Sequence, residues 1–98
     1  MHVSKQVNGT EVVVAITGSI DTSTAPALEK EVEEYLESAT LLVFDFAKVD
    51  YLSSAGLRVL LRCNKAMISH GKMIVRNVDP IVMDLFEITG FTELLNIE

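Results

Sequence analysis

Cysteine and basic residues are both scarce in this 98-residue sequence. Cys63 is the only cysteine, so no disulfide bond can form within the chain, and the reducing cytoplasm is the expected location. The 8 basic residues stand against 14 acidic ones, which gives a formal net charge of −6 at pH 7. This charge argues against nucleic acid and anionic membranes as partners, because their phosphates select basic surfaces. It suits a protein partner with a basic patch instead.

Long apolar runs are absent as well. No run approaches the roughly 20 residues that a helix needs to cross a bilayer, and the first residues do not follow a signal-peptide pattern. Repeats, low-complexity segments and Pro/Gly/Ser-rich linkers are also missing, so we expect residues 1–98 to form one domain. Hydrophobic residues make up 49% of the chain, which is enough for a core and argues against disorder.

Strand-like and helix-like segments alternate along the chain. Two runs around the turn pair Asn8-Gly9 predict a hairpin, and Pro26 follows a series of turn and cap residues, as at the start of a helix. The sequence predicts strands at 2–7, 11–17, 40–49, 72–78 and 93–97, and helices beginning near residues 26, 54 and 80. The order β-β-α-β-α-β-α-β favours an α/β domain with a mixed, mostly parallel sheet and helices packed on it.

The spacing of apolar residues predicts which helix faces are buried. The predicted buried positions are Leu28, Val32, Tyr35 and Leu36 in the first helix, Leu57, Leu60, Leu61, Asn64 and Ile68 in the second, and Ile81, Leu85 and Ile88 in the third. Gly71 and Gly90 are placed to end the second and third helices, and Asp79 to begin the third. The apolar strand at 40–49 is expected to be buried on both faces, with Asp45 as a buried, hydrogen-bonded carboxylate.

The junction DYLSSAGLRVLL, at residues 50–61, places two serines directly before a helix. One interpretation is structural: Ser53 or Ser54 caps the helix, and Gly56 allows a close approach of the chain. The second interpretation is a target for modification. A phosphate on an exposed serine here would face free backbone N–H groups and the positive end of the helix dipole, with Arg58 one turn beyond Ser54. The two interpretations are compatible.

Catalysis by these serines is not expected, because a serine nucleophile needs a base beside it. His2 lies in a predicted strand near the terminus. His70 lies at the far end of the helix that Ser54 begins, about 24 Å away at roughly 1.5 Å per residue. Cys63 falls inside that helix and is predicted to pack in the core. Spacings typical of metal sites or phosphate-binding loops do not occur, so the sequence predicts a protein that is not an enzyme and uses no metal or cofactor.

Three segments resemble the STAS domains of bacterial anti-sigma factor antagonists. GSIDTSTAPALEKEV, at residues 18–32, is similar to the family's segment after the second strand. LLVFDFAKVDYLSSAGLRVLL, at 41–61, is similar to its apolar strand and S-S-A-G-L helix start, and MDLFEITGF, at 83–91, to its penultimate helix. The three segments occur in the family's order, so the chain resembles a single STAS domain.

The resemblance implies a partner-switching regulator. In the family, the unphosphorylated antagonist binds an anti-sigma factor that is also a serine kinase, and this frees a sigma factor. Phosphorylation of the antagonist reverses the binding, and a serine phosphatase resets it. Alignment at Gly56-Leu57 places the phosphoacceptor at Ser54, and Ser53 stands where many members have aspartate. The partner-binding residues that the resemblance implies are Ser19, Asp21, Thr22, Ser23, Thr24, Leu52, Ser53, Ala55, Gly56, Leu57 and Arg58.

An alternative function is a STAS scaffold that is never phosphorylated, such as an accessory subunit of a transporter or of a stressosome-like complex. Both functions require an accessible interface. The loop at 18–26 and the start of the Ser54 helix should lie at the same end of the domain, because strand-to-helix loops share the C-terminal edge of a parallel sheet.

Overall fold

The computed structural model describes all 98 residues of the chain. Strands and helices follow one another in the predicted order, and the α/β class is confirmed. The elements are β1 (His2–Asn8), β2 (Glu11–Ile20), α1 (Ala25–Glu33), β3 (Leu41–Leu52), α2 (Ser54–Met67), β4 (Lys72–Arg76), α3 (Pro80–Thr89) and β5 (Asn96–Ile97), with a 3-10 turn at Phe91–Glu93. None of the helices is long and apolar enough to span a membrane.

The five strands lie side by side in chain order. β1 pairs with β2 in antiparallel fashion, and each later pair is parallel. Gly9 has a φ of 65° in the turn between β1 and β2. Glycine adopts a positive φ without strain, which is why Asn8-Gly9 supports a hairpin here. The predicted mixed, mostly parallel sheet is confirmed, and the ends of β2 and β3 meet at one edge.

The helices cover one face of the sheet. From β2 to β5, each connection leads to the next strand of the sheet, always in the same direction. Right-handed crossovers of this kind place their helices on a single face of the sheet. Val14, Phe44 and Val75 are register neighbours on that face and are fully buried in one cluster of 23 residues. Val43 is also buried but lies outside this cluster. The predicted burial of β3 on both faces is therefore correct only in part.

Asp45 lies on the face of β3 that no helix covers, and it is half-buried rather than buried. Its carboxylate accepts hydrogen bonds from the backbone N–H of Ala47 at 3.0 Å and from the side-chain amide of Asn77 at 3.1 Å. These bonds, that of Ala47 above all, hold the pKa of Asp45 below its ordinary value. The predicted hydrogen bonding is confirmed, whereas the predicted burial is wrong.

β2 and β3 both run further than the sequence predicts, through residues 18–20 and 50–52. These residues are rich in polar and turn-forming types, which favour a loop. They pair with each other across the strands instead, with Ser19 as the register partner of Tyr51. A register shift between Gly18 and Ser19 accommodates the irregular sequence. Because of this paired extension, the C-terminal ends of β2 and β3 reach the start of α2.

The buried stripe of α2 is rotated relative to the prediction. Leu57 and Leu60 are buried as expected, but Met67 completes the stripe while Ile68 is 76% exposed. The helix ends at Met67, ahead of Gly71, so Gly71 is not its C-cap. Burial at Met67 places the last turn of α2 against the sheet and turns Ile68 to solvent.

α3 shows the largest departure from prediction. Its buried residues are Val82 and Phe86, and the Phe86 ring stacks on Phe46 of β3 with 6.3 Å between ring centroids. Ile81 and Ile88, which were predicted to be buried, are 76% and 83% exposed. The predicted stripe is therefore wrong at both of its ends, and α3 presents an apolar surface to solvent.

The predicted ends of the helices are confirmed for α3 and wrong for α1. Asp79 caps α3 by accepting a backbone N–H of its first turn at 2.8 Å, and Gly90, with a φ of 79°, ends it. α1 ends at Glu33, so Tyr35 and Leu36 lie half-buried in the turn that follows rather than on the helix.

Candidate partner-binding site around Ser54

Only one of the two serines caps α2. Ser53 is the N-cap of α2: its backbone is extended, with φ −86° and ψ 173°, and its hydroxyl oxygen accepts the N–H of Gly56 at 3.3 Å. Ser54 is the first residue of the helix and is exposed. Its hydroxyl is not used in the cap. The helix start therefore carries an exposed hydroxyl on Ser54 in addition to the cap on Ser53.

Close packing fixes the position of this helix start. A Cβ on Gly56 would lie 2.5 Å from Cδ1 of Leu52 and 2.8 Å from Cγ2 of Ile20, so a larger residue here would force these neighbours to move. The backbone N–H of Ser53 donates to the carbonyl of Ile20 at 2.8 Å. Gly56 and Leu57 are buried, which makes them positioning residues rather than surfaces for a partner.

The loop between β2 and α1 is held by its own hydrogen bonds. Asp21 accepts the hydroxyl of Ser23 at 2.7 Å and the backbone N–H groups of Ser23 and Thr24 at 2.9 and 3.0 Å. These bonds hold the pKa of Asp21 below its ordinary value, and the Ser23 hydroxyl is the largest cause. Thr24 occupies the N-cap position of α1, but its hydroxyl does not cap the helix; it donates to the carbonyl of Ser19 at 3.0 Å.

The loop and the start of α2 meet at one edge of the sheet, as predicted. The hydroxyl of Ser19 donates to Asp50 at 2.9 Å, which ties the end of β2 to the end of β3. Thr22 of the loop and Ala55 and Arg58 of α2 border the same shallow depression. The structure therefore brings the predicted site residues into one region, with the loop on one side of Ser54.

A groove that the sequence did not predict lies on the other side of Ser54. It has a volume of about 400 Å³, and Ser53 and Ser54 lie at its border. The other lining residues are Asp50, Tyr51 and Leu52 from β3 and Ile81, Val82, Asp84, Leu85 and Ile88 from α3. Adjacent apolar pairs along α3, such as Ile81-Val82 and Leu85-Phe86, are the feature of the sequence that indicates two apolar faces rather than one.

The basic residues of α2 have different surroundings. The guanidinium of Arg62 binds both carboxylate oxygens of Glu29 on α1, at 3.1 and 2.9 Å. Arg58 is exposed and forms no ion pair with a carboxylate. It lies one helical turn after Ser54, which places a free cation on the same side of the helix as the serine.

The remaining nucleophile and base candidates lie away from this region. Cys63 packs in the core, as predicted, and burial raises the pKa of its thiol to about 12, so it remains protonated. The ring of His70 is exposed beyond the other end of α2, where its Nδ1 lies 3.2 Å from the hydroxyl of Ser69. Ser54 is therefore exposed with neither the Cys63 thiol nor an imidazole beside it.

Comparison with known proteins assigns the family. The model of the STAS domain matches residues 2–98. This chain belongs to the STAS domain family. The STAS chain is 31% identical to BtrV of Bordetella bronchiseptica over 84 residues, which cover 84% of this chain and 72% of BtrV. It is 28% identical to the anti-sigma-B factor antagonist of Bacillus subtilis over 98 residues, covering 99% of this chain and 90% of that protein.

A solved structure shows the same fold. The crystal structure of an anti-sigma factor antagonist from Mycobacterium paratuberculosis superimposes with a TM-score of 0.89 at 26% identity. The match covers 98% of this chain and 83% of that one. The resemblance read from the sequence to the STAS domains of anti-sigma factor antagonists is confirmed.

Proposed function

We propose that this STAS domain is an anti-sigma factor antagonist, and that phosphorylation of Ser54 by an anti-sigma factor serine kinase switches it off. The antagonist role is supported by the relatives named above. The phosphorylation site is supported by one observation: Ser54 is exposed at the first residue of α2, while Ser53 alone supplies the cap. In this function the unphosphorylated chain binds the kinase in the cytoplasm and frees a sigma factor.

The transfer step places the chemistry on the partner. The Oγ of Ser54 attacks the γ-phosphorus of ATP held by the kinase, and the bond from that phosphorus to the bridging oxygen of ADP breaks. The hydroxyl proton passes to a base of the kinase. A serine phosphatase restores the hydroxyl by hydrolysis. The chain contributes an exposed acceptor on a rigid support.

The helix start can carry the phosphate without unfolding. The phosphate would face the free N–H groups of the first turn and the positive end of the helix dipole, and Arg58 lies one turn further on. The Ser53 cap and the close contact of Gly56 do not involve the Ser54 hydroxyl. Phosphorylation should therefore change the surface and leave the fold intact.

The effect on the partner follows from charge and volume. A phosphate adds about −1.5 to −2 charge at pH 7 to a chain whose formal charge is already −6. It replaces a small neutral hydroxyl in an interface and must be desolvated there, and it repels the nucleotide phosphates that the kinase holds nearby. A coupling free energy of about 1–3 kcal/mol corresponds to roughly 5- to 150-fold in affinity, which is enough to exchange partners.

The alternative is a STAS scaffold that is never phosphorylated, as in an accessory subunit of a transporter or a stressosome-like complex. The observation that favours it is Ser53, which stands where many phosphorylated members of the family have aspartate. The two functions differ in one measurable property, the chemistry of Ser54.

Mass spectrometry after incubation with the cognate kinase and ATP tests the proposal. The wild-type chain and Ser53→Ala should each gain one phosphate, and peptide mapping should place it on Ser54. Ser54→Ala should gain none and should stay bound to the kinase in the presence of ATP. Phosphate on Ser53 alone would move the acceptor by one residue. A kinase that binds the chain yet modifies neither serine would support the scaffold function instead.

A further inference from the structure

We infer that the groove between the end of β3 and α3 receives an amphipathic segment of the anti-sigma factor, whose apolar side chains are flanked by lysine or arginine. This inference rests on the proposed function, because it names the chemistry of the partner surface that docks beside Ser54. The surface concerned is defined by Tyr51, Ile81, Asp84 and Ile88, together with Asp50, and is called the α3 groove below.

The α3 groove collects apolar side chains that the fold leaves in solvent. Tyr51 is 55% exposed, Ile81 76% and Ile88 83%, and these are 3 of the 7 exposed large hydrophobic residues of the whole chain. Exposed apolar residues scattered singly are ordinary, but a group of them that lines one concave surface is typical of an interaction site.

These side chains are not needed for the core. α3 already packs on the core through Val82 and Phe86, which are its buried residues. Ile81 and Ile88 are seven positions apart, which on a helix is about two turns, so they project from one side. A partner that covers both isoleucines and Tyr51 would gain apolar burial without rearranging the domain.

The charge of the α3 groove selects a basic partner. Asp50 and Asp84 line it, no lysine or arginine does, and neither carboxylate takes part in an ion pair of this chain. The hydroxyl of Ser19 donates to Asp50 and holds that carboxylate in place. A nonpolar partner segment would leave both charges desolvated and unpaired, whereas flanking lysine or arginine residues would pair with them.

The position of the α3 groove links docking to the switch. Ser53 and Ser54 form part of its border, so a partner seated in it lies against the Ser54 hydroxyl. Docking there brings the kinase to its acceptor. A phosphate on Ser54 then occupies space at the border of the same surface, so that docking and the phosphorylated state compete.

Binding measurements with paired variants test the apolar part. The probe is the anti-sigma factor kinase of the source genome that binds the wild-type chain, found by titrating each such kinase in turn by calorimetry. The double variant Ile81→Ser/Ile88→Ser should raise the Kd at least about tenfold, as expected when apolar anchors of an interface are removed. Ile68→Ser is the control, because Ile68 is equally exposed, at 76%, and lies outside the α3 groove. It should change Kd by less than about twofold.

A second pair of variants tests the charge. Asp84→Lys should weaken Kd by at least about threefold and reduce its dependence on salt. Glu37→Lys makes the same change in net charge on an exposed residue outside the α3 groove, and it should have the smaller effect. Equal effects of the two variants, or tighter binding by Asp84→Lys, would overturn the inference of a basic partner segment.

The outcomes separate this inference from the proposed function. If the kinase binds the wild-type chain and phosphorylates Ser54 but binds the double isoleucine variant equally well, the inference fails and the proposed function stands. If no such kinase binds the wild-type chain, the proposed function fails and the inference with it. Circular dichroism spectra of all variants should match the wild type, because each substituted side chain is exposed.

Discussion

The two sides of the α2 N-terminus use their side chains in opposite ways. On the loop side, the polar groups of Asp21 and Thr24 form hydrogen bonds within the loop and to the end of β2. On the α3 side, Ile81 and Ile88 lie in solvent, and Asp84 has no cationic partner. The loop side is complete within the chain and supplies a rigid shape, whereas the α3 side leaves apolar side chains and a carboxylate in solvent, as expected of the docking surface proposed above. Ser54 stands between the two.

The largest expected effect comes from comparing the two faces of α3. Phe86→Ala should lower the free energy of unfolding by about 3–5 kcal/mol, because Phe86 is fully buried and stacks on Phe46. Ile88→Ala, two positions along the same helix, should change it by no more than about 0.5 kcal/mol. Urea denaturation measures both values. A loss above about 2 kcal/mol for Ile88→Ala would show that the exposed face of α3 also stabilises the fold, and the two faces would then not differ.

The next effect separates the two serines. Ser53→Ala removes the N-cap of α2 and should lower the free energy of unfolding by about 0.5–2 kcal/mol. Ser54→Ala removes an exposed hydroxyl that plays no part in the cap, and the change should stay within about 0.5 kcal/mol. The two variants delete the same atom at neighbouring positions, so each serves as the control for the other. If Ser54→Ala were the more damaging in thermal or urea unfolding, the assignment of the cap would be reversed.

Much of the fold was predictable because it depends on local patterns. The alternation of strands and helices, the cap at Asp79 and the stop at Gly90 are each encoded by a few neighbouring residues, and all are confirmed. The meeting of the loop with the Ser54 helix was predictable from the shared edge of parallel strands. These features require no knowledge of how the helices rotate against the sheet.

The α3 groove was not predictable from the same patterns. Apolar residues occur on more than one side of α3, and the choice of Phe86 over Ile88 for the core depends on Phe46 of a distant strand. The extension of β3 to Leu52 likewise depends on pairing with β2, which overrides the loop-like composition of Asp50-Tyr51. Tertiary contacts determine both the rotation of α3 and the extension of β3, and these two elements form the walls of the groove.

The smallest expected effect is a difference in the pH dependence of stability between the two sides. The folded-state pKa of Asp21 is lowered by its hydrogen bonds, so its contribution to stability is present at neutral pH and is lost as the pH falls through the folded pKa, below the ordinary value of about 4. Asp21→Asn should therefore lose less stability than the wild type between about pH 6 and pH 3 in urea unfolding, with Asp45 supplying part of the slope that remains. Asp84→Asn is the matched control, because it makes the same carboxylate-to-amide change on the groove side, where the Asp84 carboxylate forms no ion pair within the chain. Equal slopes for Asp21→Asn and the wild type would mean that the Asp21 carboxylate does not stabilise the loop. The exposed isoleucines of α3 would then be the only remaining evidence that the two sides of the α2 N-terminus differ.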